Sequence, residues 1–353
     1  FQASDFTWSL MPANEQRDAT RKIDEILKQN VEAGKTFEGF NKSQSGTARI
    51  LSATNDMTEA VHFLFKDRQP TGSADAFVKH ADAVVTGNGG PVEIAPSPDG
   101  DIELVYDLGE QNVGHWQFDI EGNDGLVVDL AAVEYIAKDG RVQHTDRYRN
   151  AMRYVCHEGR NAYTAWSRRS GRYVFMTLRN QTAPAKLYGF RLIESTYPVQ
   201  PIGKFACSDE RLNKIWEISA RTLKLCMEDS FTDCPLYEQT LWVGDARNEG
   251  QFAYTTFDAV DLAKRCAKLT AYSLDEYPMA LCQVPTTWEI ILPAWSFLWG
   301  RMLWDYYFYT GDTAFPREMY PYMIKNLKGA ASYSDERGLF SAPFWNKIGR
   351  AHV

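Results

Sequence analysis

The hydrophobic period of this chain switches once, near Phe205, and that switch limits what it can fold into. Before it, Ile102–Tyr106, Trp116–Ile120 and Gly125–Leu130 alternate apolar and polar residues, and Tyr173–Leu178 and Leu187–Ile193 continue the pattern. A period of two sends successive side chains to opposite faces of a strand. Asn88-Gly89, Asp99-Gly100, Asn123 to Gly125 and Asp139-Gly140 separate the runs as turn signals. Short strands at this spacing predict an antiparallel β-sandwich over residues 87–201.

After Phe205 the apolar residues recur at helical spacing. Leu212, Ile215, Trp216, Ser219, Leu223 and Cys226 share one face, with Ser208 as the expected N-cap. Further helices are predicted at 245–257, 259–273, 291–310 and 315–331. Seven of the ten tryptophans lie after residue 200, so most of the large aromatic core belongs here. The fold class is therefore multidomain: the sandwich, then an all-α assembly of successive hairpins over 202–347. Residues 1–86 form an N-terminal accessory segment without an assigned fold, apart from a helix expected at Asp18 to Val31 and short strands between Ala48 and Lys66. The terminal Ile348 to Val353 is expected to be a non-native tail.

Composition excludes several classes. The chain has 353 residues and a formal net charge of −8, which argues against general nucleic-acid binding. It has no apolar run long enough to cross a membrane, for which about 18 residues are needed. Cys156, Cys207, Cys226, Cys234, Cys266 and Cys282 form no CxxC pair, so neither a small disulfide scaffold nor a cysteine zinc site is expected. His157-Glu158 lacks the second histidine of a zinc-protease helix. Residues 141–179 carry nine arginines, no lysine and only Asp146 and Glu158 as acids. That stretch could take an anionic glycan or nucleic acid, but a solvated sandwich face, or packing against the acidic helical part, is the ordinary reading.

The chemistry concentrates in the connection from Glu228 to Ala246. It holds Glu228, Asp229, Asp233, Glu238 and Asp245, with Phe231, Tyr237 and Trp242 among them. Carboxyls beside apolar rings suit acid-catalysed glycosidic cleavage, because desolvation and neighbouring negative charge help one acid keep its proton. The remaining carboxylates can accept sugar hydroxyls, and rings can cover the sugar's C–H face. Glu249, four residues beyond Asp245, could face the same pocket, although a solvated or capping role is its ordinary reading. Trp295, Trp299 and Trp304 fall near one face of the 291–310 helix, where core packing is expected over sugar stacking.

The run Asp233-Cys-Pro-x-x-Glu238-x-x-x-Trp242-x-Gly244-Asp245 resembles the signature of α-L-rhamnosidases of glycoside hydrolase family 78. Phe205 to Trp216, Arg221 to Asp233 and Leu292 to Asp312 also resemble that family's catalytic domain. The resemblance implies a sandwich followed by an (α/α)6 barrel, incomplete in this chain. It implies an inverting hydrolysis of terminal α-L-rhamnose, with Glu238 as general acid. Asp233 and Asp245 would hold sugar hydroxyls, and Trp242 and Tyr237 would line the pocket. Tyr237 stands where many relatives carry arginine, and Ala294 where a polar residue often follows the proline, which leaves fine specificity open. The general base has no candidate here, so the chain alone is expected to be inactive. No cofactor or metal is implied, since carboxylates make both proton transfers. The expected partner is a rhamnose-containing glycan or glycoside. A non-catalytic glycan-binding protein and another inverting six-hairpin glycosidase are the alternatives.

Overall fold

The structure is a computed structural model that describes residues 43–54, 58–61, 65, 69–87, 90–137, 140, 142, 150–287 and 289–341. The helix expected at 18–31, the Asn88-Gly89 turn, Trp288 and the terminal tail lie outside these residues. All described elements belong to the unit Gln44–Val353.

Among the described residues, ten antiparallel strands build the first half. They are β1 (Ser45–Leu51), β2 (Pro70–Ser73), β3 (Val78–Lys79), β4 (Val92–Ile94), β5 (Asp101–Gly122), β6 (Val127–Val133), β7 (Ala151–Val155), β8 (Gly159–Thr164), β9 (Arg169–Arg179) and β10 (Ala185–Glu194). The 22-residue β5 serves two layers. Its first part pairs with β1, its second with β10 and β8, and β9 runs beside both, as far as Gly114. The change falls where the register slips between Asp107 and Asn112. There Gly109 takes a left-handed φ of 84°, and its N–H bonds back to Asp107 Oδ1 at 2.8 Å. Trp116, Phe118, Leu104 and Val174 fill the core, with Tyr106 stacked on Phe190 at 5.4 Å. The sequence left residues before 87 without a fold; β1 and β2 in fact join this sheet, Ile50 and Leu51 being buried in it.

Apart from the exposed Arg160, the described arginines of this stretch are not a free solvated face. Among the described residues, Arg153 and Arg179 both bind the buried Asp129, Arg179 also reaches Asp101, Arg172 pairs with Asp107, and Arg160 with Asp119. Strand pairing puts Arg153 directly opposite Asp129 and brings the other arginines within reach of acids on neighbouring strands, which the local sequence does not show.

A short helix, α1 (Ala83–Thr86), lies against the sheet between β3 and β4, and the second half comprises, among the described residues, five long helices. These are α2 (Glu210–Leu225), α3 (Val243–Thr256), α4 (Val260–Ser273), α5 (Pro293–Thr310) and α6 (Ala314–Ala331). They form successive α/α hairpins after an antiparallel sandwich, as expected. Asp209 rather than Ser208 caps α2, accepting the Arg211 N–H at 2.9 Å. The carboxylate one residue later reaches the first-turn amide and adds its charge to the positive helix end. On α2 the apolar stripe is covered only at its end: Leu223 is buried, while Leu212 and Ile215 are exposed. The three tryptophans of the 291–310 region do not share one environment. Trp299 is fully buried and donates to Ala267 O at 2.8 Å, Trp304 is exposed, and Trp295 is half-buried.

Candidate active site at the α2–α3 connection

The connection leaves α2 through a small closed hairpin. Cys226 O accepts both the Thr232 N–H at 2.8 Å and the Thr232 hydroxyl at 3.2 Å, and Met227 bridges Phe231. Phe231 is wholly buried, and its N–H meets Cys266 Sγ on α4. This anchors Asp233, the next residue but one. Two of the five carboxylates named from sequence turn away from it: Glu228 pairs with Arg168 and Asp229 with Arg265.

Asp233 closes the second turn. Its N–H donates to Thr240 O at 3.1 Å, and its Oδ1 accepts the Thr240 N–H at 3.2 Å. The Cys234 thiol donates to Asp233 Oδ2 at 2.8 Å, and the same sulfur accepts the Glu238 N–H at 3.3 Å. Glu238 itself is exposed, and its Oε2 accepts the indole N–H of Trp242. Gln239 takes a left-handed φ of 52°, with its amide on Pro235 O at 2.7 Å, to complete the reversal. Tyr237 is half-buried in this turn.

The start of α3 is held from the far side of the domain. Val243 N–H donates to Cys282 O at 2.9 Å and Val284 N–H to Leu241 O at 3.2 Å. That segment is fixed in turn by the buried Asn326 of α6, which accepts the Ala280 N–H and donates to Ser296 O on α5, both at 2.9 Å. Gly244 lies under the Trp295 indole: a Cβ there would stand 2.6 Å from Trp295 Cε2. The same indole donates to Asp245 Oδ2 at 3.3 Å.

The fold thus brings Asp233, Glu238 and Asp245 together with Trp242. Burial raises the Asp233 carboxyl above its ordinary range, and the charges of Glu238 and Asp245 push it the same way. Glu249, one helical turn beyond Asp245, is pushed up to about 9 by burial first, then by Asp245 and Asp233. Although the residue is half-buried overall, its Oε2 is enclosed and has no hydrogen-bond partner. The solvated reading of Glu249 is corrected by this, whereas Trp295 packs against the helical core as expected and in addition bonds Asp245. The four-residue spacing from Asp245 was the signal for Glu249. For Trp295 the sequence held no signal beyond its ring. Among the described residues no group of His, Cys, Asp and Glu side chains is arranged to hold a metal ion. The arrangement sets the protonated Glu249 beside the other carboxyl groups of the loop and two indoles.

Residues 200–346 match the family described as bacterial α-L-rhamnosidase six-hairpin glycosidase domain, and residues 99–192 match the bacterial α-L-rhamnosidase concanavalin-like domain. An α-L-rhamnosidase of Formosa agariphila is 28% identical over 171 residues, 42% of this chain and 18% of that protein. The crystal structure of a GH78 rhamnosidase of Bacillus sp. GL1 superposes with a TM-score of 0.75 at 37% identity, covering 80% of this chain and 29% of that one. A Klebsiella oxytoca rhamnosidase solved with rhamnose bound shares the fold, with a TM-score of 0.62 at 20% identity over 87% of this chain and 61% of that one. The chain therefore spans less than a third of the Formosa and Bacillus proteins. Through both of its domains, the chain belongs to the bacterial α-L-rhamnosidases of glycoside hydrolase family 78.

Proposed function

We propose that this protein hydrolyses terminal α-L-rhamnose from glycans or glycosides by an inverting acid/base mechanism. Glu238 is the general acid that protonates the departing glycosidic oxygen. Asp233 and Asp245 hold the sugar hydroxyls, and Trp242, Tyr237 and Trp295 line the pocket. One observation supports the reading: Asp233 senses the charges of both Glu238 and Asp245, while Trp242 and Trp295 each donate an indole N–H to one of these carboxyls.

Glu238 is open to solvent, so the bound sugar itself must exclude water from it before its proton is transferred. Inversion requires a second carboxylate about 6.5–9.5 Å away, acting as base on a water. No described residue is assigned that role. Replacing Glu238 with Gln in the full-length enzyme is expected to lower turnover of an aryl α-L-rhamnoside about 10²–10⁴-fold, the usual contribution of a general acid. Retained turnover would remove Glu238 from the role.

A further inference from the structure

Arg168 belongs to the sandwich, in the turn between β8 and β9, yet its side chain ends in the helical domain. It is 8% exposed. Nε donates to Ser195 O at 2.9 Å, in the segment joining the domains. Nη2 donates to Leu225 O at 3.1 Å, and Nη1 stands 3.3 Å from Glu228 Oε2. Leu225 is the last residue of α2. Carbonyls at a helix C-terminus lack partners within the helix and carry the negative end of its dipole. A guanidinium there meets both needs, and its fork spans acceptors that a single ammonium cannot.

Beyond the end of α2 lies the closed hairpin of Cys226 to Thr232, and Asp233 comes next. A second contact holds the same hairpin to the interdomain segment: Tyr197 N–H donates to Met227 O at 2.9 Å. The grip is reciprocal. Arg221 of α2 reaches back to the break in β5, donating to Asn112 Oδ1 at 2.9 Å and standing 3.2 Å from Glu110 Oε2. The root of the acid-bearing loop is thus clamped by a cation from the other domain.

We propose that Arg168 is a positioning residue of the rhamnosidase site, which sets where Asp233 and Glu238 stand by capping α2 and fixing the hairpin behind them. The sandwich is then a working part of the catalytic unit rather than a passive neighbour. This rests on the reading of the α2–α3 connection as the sugar site.

The test compares full-length wild-type enzyme with R168A, R168K and E228Q on an aryl α-L-rhamnoside, with and without added methylguanidine. R168A is expected to lose at least ten-fold in kcat/KM, and methylguanidine to restore several-fold of it by refilling the vacated space. R168K should recover little. E228Q should stay within two-fold, because Glu228 is 40% exposed and the carbonyl contacts remain. Should R168A not fold, the same ten-fold threshold applies to R168K. Activity within two-fold of wild type in the folded variant, or methylguanidine raising the melting temperature without kcat/KM, would overturn the proposal. An inactive wild-type enzyme would instead refute the reading of the site on which it rests.

Discussion

The Cys234 thiol donates to the Asp233 carboxylate at 2.8 Å while its sulfur accepts the Glu238 N–H at 3.3 Å. One small side chain therefore orients the proposed hydroxyl-binding carboxylate and the backbone of the proposed acid. Burial, and then the bond to Asp233, pushes this thiol up to about 11, so the donating proton is present throughout the neutral range.

Removing that bridge should cost activity more than stability. Cys234→Ala is expected to lower kcat/KM on an aryl rhamnoside about ten-fold, equivalent to roughly 1.4 kcal/mol and within the value of a charge-assisted hydrogen bond. Cys234→Ser, which keeps a donor and an acceptor, should recover most of the loss. Equal kcat/KM for the alanine variant and wild type, measured beside their melting temperatures, would deny the thiol this role.

Glu249 gives the protein a pH dependence of known sign. Its carboxyl goes from an ordinary 4.5 to about 9 on folding, so the folded state keeps a proton that the unfolded chain releases. The resulting stabilisation is complete below pH 4.5, declines as pH rises, and is gone above pH 9. Burial acts first, and Asp245 on α3 and Asp233 on the loop add to it. Cys226 at the end of α2 and Cys266 on α4 also face it, and their thiols are themselves pushed up in part by its charge. Glu249→Gln stays neutral at every pH. Thermal melts should coincide near pH 4 and separate in favour of the variant as the pH rises to 9, by more than the roughly 2–4 °C that a change of about 1 kcal/mol gives a domain of this size. Parallel melting curves across this range would remove Glu249 from the account.

Gly244 is required by its neighbour rather than by its backbone. A Cβ at this position would sit 2.6 Å from the Trp295 ring, forcing the indole off Asp245. Gly244→Ala is expected to destabilise by about 1–3 kcal/mol, as overpacking does, and to raise KM several-fold. Adding Trp295→Phe makes room and should return much of the stability but none of the KM, since the indole N–H is then missing. Denaturant unfolding and KM measured on both variants separate the two effects.

The elements were legible in the sequence because they depend on neighbours along the chain. Alternation from Ile102 to Tyr106 and helical spacing from Leu212 to Cys226 are set by backbone geometry within a few residues. The order of Asp233, Glu238, Trp242 and Asp245 was equally plain, since one loop and one helix start carry them all. Neither depends on what packs against the segment.

Burial and pairing do depend on it, and they came only with the tertiary structure. Glu249 reads as a solvated helix residue until the end of α2 and the middle of α4 enclose its carboxyl. Arg153 and Arg179 read as surface charge until β6 places Asp129 between them, 24 and 50 residues away in the chain. Arg168 likewise gains its meaning 57 residues on, at Leu225. The sequence by itself determined which segments alternate, which coil, and which carboxyls share the loop. That the Glu249 carboxyl keeps its proton, and which arginine holds the loop in place, was decided by desolvation and charge pairing between elements far apart in the chain.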